Sequence, residues 1–398
     1  MTRQGSGIRE DGTASVGGAD RLRILIAGGG TGGHVIPGLA IAREMRDRYG
    51  AEVRFVGTAR GLETRLVPEA GFGLELMEVG QLKGVSMAVR ARTVAELPIG
   101  IRRCMKLLRG LRPHVVVGVG GYASGPTMMA AILMRVPTLA YEPNAVPGLA
   151  NRIVGQMVSA AAVNFEAAGR YFRRARVTGI PVREEFFDVR PRPVEGAGVG
   201  AAIGMIPEIE SVSEPPHLLV FGGSQGARIF NEVLPKILGR MVEMVPGLTI
   251  LHQAGAKQAA ATAEAYRASG ADARRWEVAA FVDDMPGAFE RADLILCRSG
   301  ATTVAELAAA GRAAVLVPFP GAADDHQMRN AEVLARAGAA DLLRQGSDEL
   351  MQTSLLGELS RLLRDGGARE QMATRVRAFA RREAVGEIGG MIAELAGR

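Results

Sequence analysis

The stretch SGATTVAELAAAGRAAVLVPFPGAADDHQMRN, residues 299–330, decides the fold. An apolar run before it, Asp293 to Cys297, predicts a buried strand, and Ser299 stands where a helix N-cap belongs. Strong helix formers then fill positions 301–310, and Ala314 to Val317 predicts the next strand. The order strand, helix, strand predicts a parallel sheet, in which ligands bind at the carboxyl ends of the strands beside helix N-termini.

Polar side chains within this stretch point to a ligand with hydroxyl groups and negative charge. Glu306 lies one turn into an otherwise apolar helix, where a carboxylate costs free energy unless it is bonded. Two ribose hydroxyls or a surface salt bridge would each satisfy it. The loop after the next strand brings Gln327 to the same edge. Asp324 and Asp325 resemble a metal pair, but adjacent acids point in different directions, so we predict no metal site.

Length and composition indicate a two-domain globular protein. The 398 residues are 47% hydrophobic, with a net charge of +6. Cys104 and Cys297 are far apart in sequence, which argues against a disulfide framework or a zinc site and favours a reducing compartment. Residues 1–20 lack an apolar core segment, so we expect a disordered tail and no signal peptide. Val115 to Met134 is long enough to span a bilayer, but its glycines and proline predict strand, loop and helix instead.

Alternating strands and helices run through both halves of the chain. The sequence predicts a tail at 1–20, a first Rossmann-like domain at 21–185, a partly flexible linker at 186–216, a second domain at 217–375 and a C-terminal helix at 376–398 that packs back on the first domain. The predicted strands of the first half are Leu22–Ala27, Glu52–Gly57, Leu74–Val79, His114–Val119, Thr138–Tyr141, Ala160–Asn164 and Val177–Arg183. Those of the second half are His217–Phe221, Leu248–Gln253, Trp276–Ala280, Asp293–Cys297 and Ala314–Val317.

A glycine loop follows the first strand of each half. Gly28 to His34 reads GGGTGGH and formally matches a dinucleotide fingerprint, but Phe55 to Thr58, at the end of the second strand, holds no acid for a ribose. This argues against a nicotinamide cofactor and leaves a loop suited to a phosphate or to close substrate approach. A tight turn without a ligand would use the same glycines. Gly222 to Ala227, GGSQGA, is a second anion cradle in which the Ser224 hydroxyl is available for a diphosphate.

Two further side chains adjoin the glycine loops. His34 ends the first loop, and its ordinary pKa of about 6.5 suits a general base near neutral pH, although a histidine that only shapes the loop would stand in the same place. A third glycine turn, Gly120 to Pro126, carries Tyr122, which either contacts substrate or packs the loop.

One segment is strongly basic. Lys83 to Arg112 holds eight basic residues against Glu96 alone, a net charge of +7, with apolar residues between them. An apolar face flanked by bases suits an anionic membrane surface, and a basic helix facing water is the alternative. Aromatic residues for base stacking are absent from the segment, so we expect no nucleic acid partner.

Taken together, these motifs resemble the MurG family of peptidoglycan glycosyltransferases. The matching pieces occur in one order from about residue 22 to 340: GGGTGGHVIPGLAIA, GGYASGP, EPNAVPGLANR, TGIPVR, FGGSQGAR, FVDDM, CRSGATTVAEL and PFPGAADDHQMRNAEVL. The resemblance implies an α/β protein with the GT-B fold, two Rossmann-like doubly wound domains that face a cleft. It implies inverting transfer of N-acetylglucosamine from UDP-GlcNAc to the muramyl 4-hydroxyl of lipid I, at the cytoplasmic face of the plasma (inner) membrane, with no cofactor.

The resemblance also assigns roles to particular residues. His34 matches the residue proposed as the base, with Glu142 as a second candidate. Ser224 would lie at the diphosphate, the Val282 backbone at the uracil, and the 301–306 segment at the phosphates and ribose. The full set of implied substrate contacts is Thr31, Gly32, Gly33, Tyr122, Asn144, Arg183, Ser224, Val282, Ala301, Thr302, Thr303, Val304, Ala305, Glu306 and Gln327.

Two other functions stay open from the sequence. The first is another GT-B nucleotide-sugar transferase or an epimerase with a soluble acceptor, which would not need the basic apolar segment. The second is a nucleotide-binding scaffold without catalysis, in which His34 would be dispensable.

Overall fold

The structure is a computed structural model that describes residues 21–59, 61–77, 87–121, 123–192 and 215–398, with side chains described except at 87–96 and Ala323. The predicted tail, most of the predicted linker, Tyr122 and the start of the basic segment lie outside these ranges.

The first lobe is a seven-stranded parallel sheet with the strand order β3-β2-β1-β4-β5-β6-β7. Because the order reverses between β1 and β4, the sheet is doubly wound. Its elements are β1 (Arg23–Gly28), α1 (Gly32–Tyr49), β2 (Glu52–Gly57), α2 (Glu63–Glu69), β3 (Gly73–Leu76), α3 (Met87–Leu111), β4 (Val115–Gly120), α4 (Ser124–Leu133), β5 (Thr138–Glu142), α5 (Leu149–Val154), β6 (Ala160–Val163), α6 (Glu166–Gly169) and β7 (Ala175–Val177).

The second lobe repeats this design with six parallel strands in the order β10-β9-β8-β11-β12-β13. Its elements are β8 (His217–Phe221), α7 (Arg228–Met244), β9 (Thr249–Gln253), α8 (Ala259–Ala268), β10 (Trp276–Ala279), α9 (Met285–Arg291), β11 (Leu294–Cys297), α10 (Ala301–Ala310), β12 (Ala314–Leu316), α11 (His326–Arg336), β13 (Asp341–Leu342), α12 (Asp348–Arg364), α13 (Gly366–Arg377) and α14 (Ala384–Leu395). The predicted class, two Rossmann-like α/β domains, is confirmed.

Alternating residues of β1 supply the two faces of the first sheet. Ile24 and Ile26 join the core cluster formed with α1 and α14, whereas Leu25 and Ala27 join the cluster beneath α3, α4 and α5. Both faces are therefore covered by helices, as a parallel sheet requires.

The last helix of the chain packs on the first lobe. Ile388 and Ile392 of α14 are fully buried in the same cluster as β1 and α1. An ion pair of 3.3 Å joins Arg176 of β7 to Glu394 at the end of this helix. The chain thus crosses between the lobes twice, once between β7 and β8 and once between α13 and α14.

Three local predictions differ from the structure. Gly300, not Ser299, is the N-cap of α10, because the Ser299 hydroxyl donates instead to the Gln327 carbonyl at 2.8 Å. The predicted strand Val177–Arg183 is wrong beyond Val177, because Gly179 adopts a left-handed φ of 84° and Pro181 cannot donate to a ladder. The strand predicted at Leu74–Val79 ends at Leu76.

The segment Val115 to Met134 forms β4, a loop and α4, as predicted. Across the described ranges, no helix combines the length and apolarity that crossing a bilayer requires.

Candidate active site

The carboxyl edges of the two sheets meet at a cleft. The amide of Ala145, in the loop after β5, donates to the side-chain oxygen of Asn330 on α11 at 2.9 Å. An ion pair of 3.5 Å joins Arg152 of α5 to Asp324 across the same gap. The predicted site residues of the two lobes therefore lie around one shared space.

His34 of α1 is held in one tautomer. Its Nδ1 lies 3.2 Å from the Gly29 carbonyl, which can only accept a hydrogen bond, so Nδ1 carries the proton and Nε2 is the basic nitrogen. The ring lies against the β4–α4 loop, where a Cβ on Gly120 would be 2.9 Å from Nε2. Gly120 has a φ of 96°, which together with this close approach accounts for a glycine there.

The surroundings of His34 keep its imidazole neutral. Burial lowers the pKa of His34 below 6.5, the charge of His326 lowers it further, and the hydrogen bond with Gly29 and the charge of Glu63 oppose these effects. His34 is thus unprotonated at neutral pH, the state that a general base needs.

Glu142, the second candidate for the base, is engaged at both oxygens. Its side chain is 2% exposed and accepts bonds of 3.0 to 3.1 Å from Asn144 N, Asn144 Nδ2, Gly148 N and Asn151 Nδ2. Burial raises its pKa, and these donors oppose the rise. The geometry favours a carboxylate that shapes the β5–α5 loop, so His34 is the better candidate for the base.

Glu63 braces the first glycine loop. Its carboxylate is 1% exposed and accepts from the amide of Gly30 at 2.7 Å and the amide of Thr58 at 2.9 Å. Burial acts to raise its pKa, but these bonds outweigh burial and the pKa is lowered. An acid thus reaches the end of β2, although it comes from α2. Because Gly30 and Thr58 occupy its oxygens, Glu63 does not offer a ribose site.

Glu306 of α10 is a carboxylate without a partner among the described residues: no hydrogen bond or salt bridge satisfies it there. Burial raises the pKa of Glu306 to about 7, and the positive charge of Arg183 opposes this rise. The surface salt bridge weighed from the sequence is not formed. A ligand that donates hydroxyl hydrogens would satisfy this group.

Gln327 is fixed by one end of its amide. Its Oε1 accepts from the Phe319 amide at 2.9 Å, which orients Nε2 as the group left for a ligand. Nearby, Arg298 binds the carbonyls of Val317 and Pro318 at 2.8 and 3.0 Å and lies between the rings of Phe230 and Phe319. These contacts hold the loop after β12, which leads to Gln327 at the start of α11.

The second glycine loop is a closed turn. The Gly226 amide donates to the Gly223 carbonyl at 3.0 Å, and Ser224 within the turn is exposed. The Val282 amide donates to Gln253 at 2.8 Å, so the Val282 carbonyl, and not its N–H, is the group available to a uracil.

The remaining predicted contacts lie around the same cleft. Thr31, Gly32 and Gly33 form the start of α1, and Ala301 to Ala305 form the first turns of α10. Asn144 bridges Glu142 and Asn330, and the exposed Arg183 lies over the Phe186 ring at 5.1 Å. Tyr122 lies outside the described residues, so its role stays a prediction.

The described residues contain no group of three or more potential metal ligands. Asp324 is paired with Arg152, as noted above. The prediction of a reaction without metal is left for experiment.

A cavity of about 290 Å³ lies at the opposite, amino edge of the second sheet. Its lining includes Arg192, Asp293, Arg312, Arg369 and Arg377. Arg312 there binds the Phe289 carbonyl, and Arg192 pairs with Asp293 at 3.3 Å. Asp293 and Arg312 of its lining precede β11 and β12, whereas Ser224 and the start of α10 follow β8 and β11, so this cavity is not the site described above.

Sequence reasoning missed four residues that organise the cleft: Glu63, Gln253, Arg298 and Asn330. Asn330 stands in the quoted stretch, and its position after a strand was the available signal. The other three act through buried contacts that no sequence pattern shows.

Two facing doubly wound lobes, with glycine loops and a helix N-terminus at their carboxyl edges, define a GT-B glycosyltransferase. Family models agree: the glycosyltransferase family 28 N-terminal domain matches residues 24–163, and the family 28 C-terminal domain matches residues 217–388.

The chain belongs to the MurG family within that class. It is 43% identical over 94% of its length to the UDP-N-acetylglucosamine--N-acetylmuramyl-(pentapeptide) pyrophosphoryl-undecaprenol N-acetylglucosamine transferase of Solibacter usitatus, covering 96% of that protein. The crystal structure of Acinetobacter baumannii MurG superposes with a TM-score of 0.71 at 29% identity, over 94% of this chain and 99% of that one. A UDP-GlcNAc 2-epimerase of Neisseria meningitidis, at 10% identity and a TM-score of 0.61 over 94% and 100% of the two chains, shares the fold alone.

Proposed function

We propose that this enzyme transfers N-acetylglucosamine from UDP-GlcNAc to the 4-hydroxyl of the muramyl sugar of lipid I, giving lipid II and UDP for peptidoglycan synthesis. Its relatives carry this donor and acceptor in their names. The observations that carry the proposal are the unpartnered carboxylate of Glu306 on the second lobe and, on the first lobe, an imidazole whose Nδ1 is bonded to Gly29 and whose Nε2 is left for a substrate.

The second lobe binds the donor in this proposal. Ser224 and the start of α10 meet the diphosphate, Glu306 the ribose, the Val282 carbonyl the uracil N3–H, and the Gln327 amide the sugar. The first lobe contributes Thr31, Gly32, Gly33, Tyr122, Asn144 and Arg183. N–H groups at the start of α10 stabilise the negative charge that grows on the leaving diphosphate.

His34 is the general base. Nε2 takes the proton of the acceptor hydroxyl as its oxygen attacks the anomeric carbon on the face opposite the diphosphate. The bond from that carbon to the diphosphate oxygen breaks, UDP leaves with the electron pair, and the configuration inverts. Glu142 supports the reaction by holding the β5–α5 loop.

The helices α3, α4 and α5 form the membrane-facing surface of the first lobe in our proposal. They cover one face of the sheet, and Ile99, Leu133 and Ile153 expose 53, 59 and 58% of their surfaces. Arg102, Arg103, Lys106 and Arg109 on α3 are exposed beside Ile99. Apolar residues flanked by bases match an anionic bilayer, which supports the proposal of a peripheral enzyme at the cytoplasmic face of the plasma membrane.

Each of the two domains binds one substrate in this proposal. We propose an acceptor-binding domain over 21–185 and a donor-binding domain over 217–375, joined by 186–216 and by the final segment 376–398. The alternative function is that of another GT-B nucleotide-sugar transferase or an epimerase with a soluble acceptor. The exposed apolar residues of α3 and α5 favour a lipid acceptor instead.

A transfer assay tests the proposal. Radiolabelled UDP-GlcNAc is incubated with a short-chain lipid I analogue, with and without EDTA, and the lipid product is extracted. We expect labelled product of inverted configuration in both conditions. Transfer only to soluble sugars would contradict the acceptor assignment, and activity lost with EDTA would contradict the metal-independent mechanism.

A further inference from the structure

Gln253 ends β9 with a side chain bonded at both ends of its amide. Nε2 donates to the Gly223 carbonyl at 3.0 Å, and Oε1 accepts from the Val282 amide at 2.8 Å. The Gln253 residue is 2% exposed, whereas its partners Gly223 and Val282 are exposed and half-buried. Gly223 belongs to the glycine loop after β8, and Val282 belongs to the loop after β10.

The backbone beside Gln253 is also packed tightly against the glycine loop. A Cβ on Gly226, whose φ is 71°, would lie 1.9 Å from the Ala254 carbonyl oxygen. The Ala254 amide in turn donates to Ala279 at 2.9 Å. The end of β9 therefore lies between the two loops and contacts both of them.

We propose that Gln253 is a positioning residue for the donor, which fixes the distance between the diphosphate loop and the uracil loop so that together they fit a uridine diphosphate. This inference rests on the proposed donor site at Ser224 and Val282.

Two physical effects give Gln253 this role. It holds the Gly223 carbonyl away from the diphosphate, whose negative charge that oxygen would repel. It also uses the Val282 N–H, so that the loop presents its carbonyl to the N3–H of the base. The side-chain amide of Gln253 is planar and holds its donor and its acceptor at a fixed separation. It therefore couples the two loops, because neither loop moves without breaking one of its hydrogen bonds.

Variants at Gln253 separate positioning from stability. Gln253→Leu removes both bonds at similar volume, and Gln253→Glu keeps an acceptor for Val282 but removes the donor to Gly223. His252→Leu is the matched control: it neighbours Gln253 on β9, is fully buried, and bonds Tyr266 at 3.1 Å on the opposite face. The measurements are the KM for UDP-GlcNAc, the KM for the lipid I analogue, the UDP affinity by calorimetry, and the thermal midpoint.

Both Gln253 variants are expected to raise the donor KM and the UDP Kd about tenfold or more, as the loss of one or two hydrogen bonds of a buried side chain implies. The acceptor KM should stay within about twofold, since the proposed acceptor-binding domain is the other lobe. His252→Leu should lower the thermal midpoint while leaving the donor KM unchanged. If Gln253→Leu does not fold, Gln253→Glu supplies the comparison.

Equal effects on donor and acceptor KM, or an unchanged UDP Kd, would overturn the positioning role. Ser224→Ala and Glu306→Gln keep the two claims apart. If they weaken UDP binding and the Gln253 variants do not, only this inference fails. If they too leave UDP binding unchanged, the proposed donor site itself is wrong.

Discussion

His34 depends on a single backbone carbonyl for its chemical role. Because Gly29 accepts the Nδ1 proton, Nε2 is free to take a proton from the acceptor. We expect His34→Ala to lower kcat by about 10²- to 10⁴-fold, the usual contribution of a general base. The KM for UDP-GlcNAc should change little, since in this proposal His34 acts on the acceptor hydroxyl and is not one of the donor contacts.

The control is a histidine far from the cleft. His114→Ala, at the start of β4, should retain full turnover. Because burial lowers the pKa of His34 below 6.5, the acidic limb of the kcat/KM profile should have its midpoint below that value, as protonation at lower pH removes the base. A midpoint above 6.5, or a fully active His34→Ala variant, would transfer the role to another group.

Glu306 makes stability and donor binding depend on pH. Its pKa is raised from 4.5 to about 7, so the folded chain binds its proton more tightly than the unfolded chain does. The free energy of unfolding should therefore fall as pH rises from about 4.5 to about 7, by about 1 to 2 kcal/mol after allowance for partial exposure. Glu306→Gln should remove that fall, as denaturant titrations at several pH values will measure.

Donor binding supplies a second test at the same residue. Ribose hydroxyls that donate to the carboxylate favour its ionised form, so UDP binding near pH 6.5 should release a proton. Calorimetry in two buffers of different ionisation enthalpy measures this release. Release that persists in Glu306→Gln would assign it to another group.

The sequence showed which residues lie at the cleft more readily than it showed which of them bond to one another. Glu306 stood out because a carboxylate on an apolar helix needs a partner. The four bonds that engage Glu142, and the reach of Glu63 to the end of β2, depend on where two loops close in space. No local pattern contains that information.

The helix α3 is the element on which the membrane proposal depends. Its exposed Ile99 is surrounded by basic residues, whereas Ile101 packs on the core beneath α3 and α4. A charge at Ile101 would therefore report on folding, and Ile99 is the informative position. Ile99→Glu should weaken binding to vesicles that contain anionic lipid by about tenfold, because it removes apolar contact and adds repulsion.

A sedimentation assay with the vesicles measures this effect, and Leu350→Glu provides the control. Leu350 is 55% exposed on α12 of the other lobe, so its substitution should not change vesicle binding. Equal losses in the two variants would show that α3 is not the membrane contact.

Most strands followed from apolar runs and glycine placement, which is why they were predicted, whereas the short β13 was not. The failures share one cause, which is a tertiary contact that overrides a local preference. Ser299 was expected to cap α10, but its hydroxyl instead binds Gln327 from the next loop. The strand at β7 was expected to continue to Arg183. Instead the chain turns at Gly179, which packs against the side chain of Arg381 shortly before α14.

At the scale of the whole molecule, Asn330 joins the lobes. It is fully buried on α11, accepts from the Ala145 amide, and donates to Asn144 and to the Ser299 carbonyl. Asn330→Leu should loosen the β5–α5 loop from the second lobe. Hydrogen exchange at Ala145 should accelerate about tenfold or more, which corresponds to about 1.4 kcal/mol of lost protection.

Exchange within β8 and β11 serves as the internal control, because those amides are bonded inside one sheet. Unchanged exchange at Ala145 would show that the lobes meet without this bond. The contact could not be inferred from sequence, since Asn144 and Asn330 lie 186 residues apart and each looks like an ordinary loop or helix residue.

The central claim is that the second lobe binds the nucleotide and the first lobe supplies the general base, His34. A crystal structure of the enzyme with UDP-GlcNAc tests this most directly. We predict the uracil at the Val282 carbonyl, the diphosphate at Ser224 and the start of α10, the ribose at Glu306, and the anomeric carbon facing His34. A nucleotide bound in the glycine loop of the first lobe, or away from Ser224 and Glu306, would contradict the account.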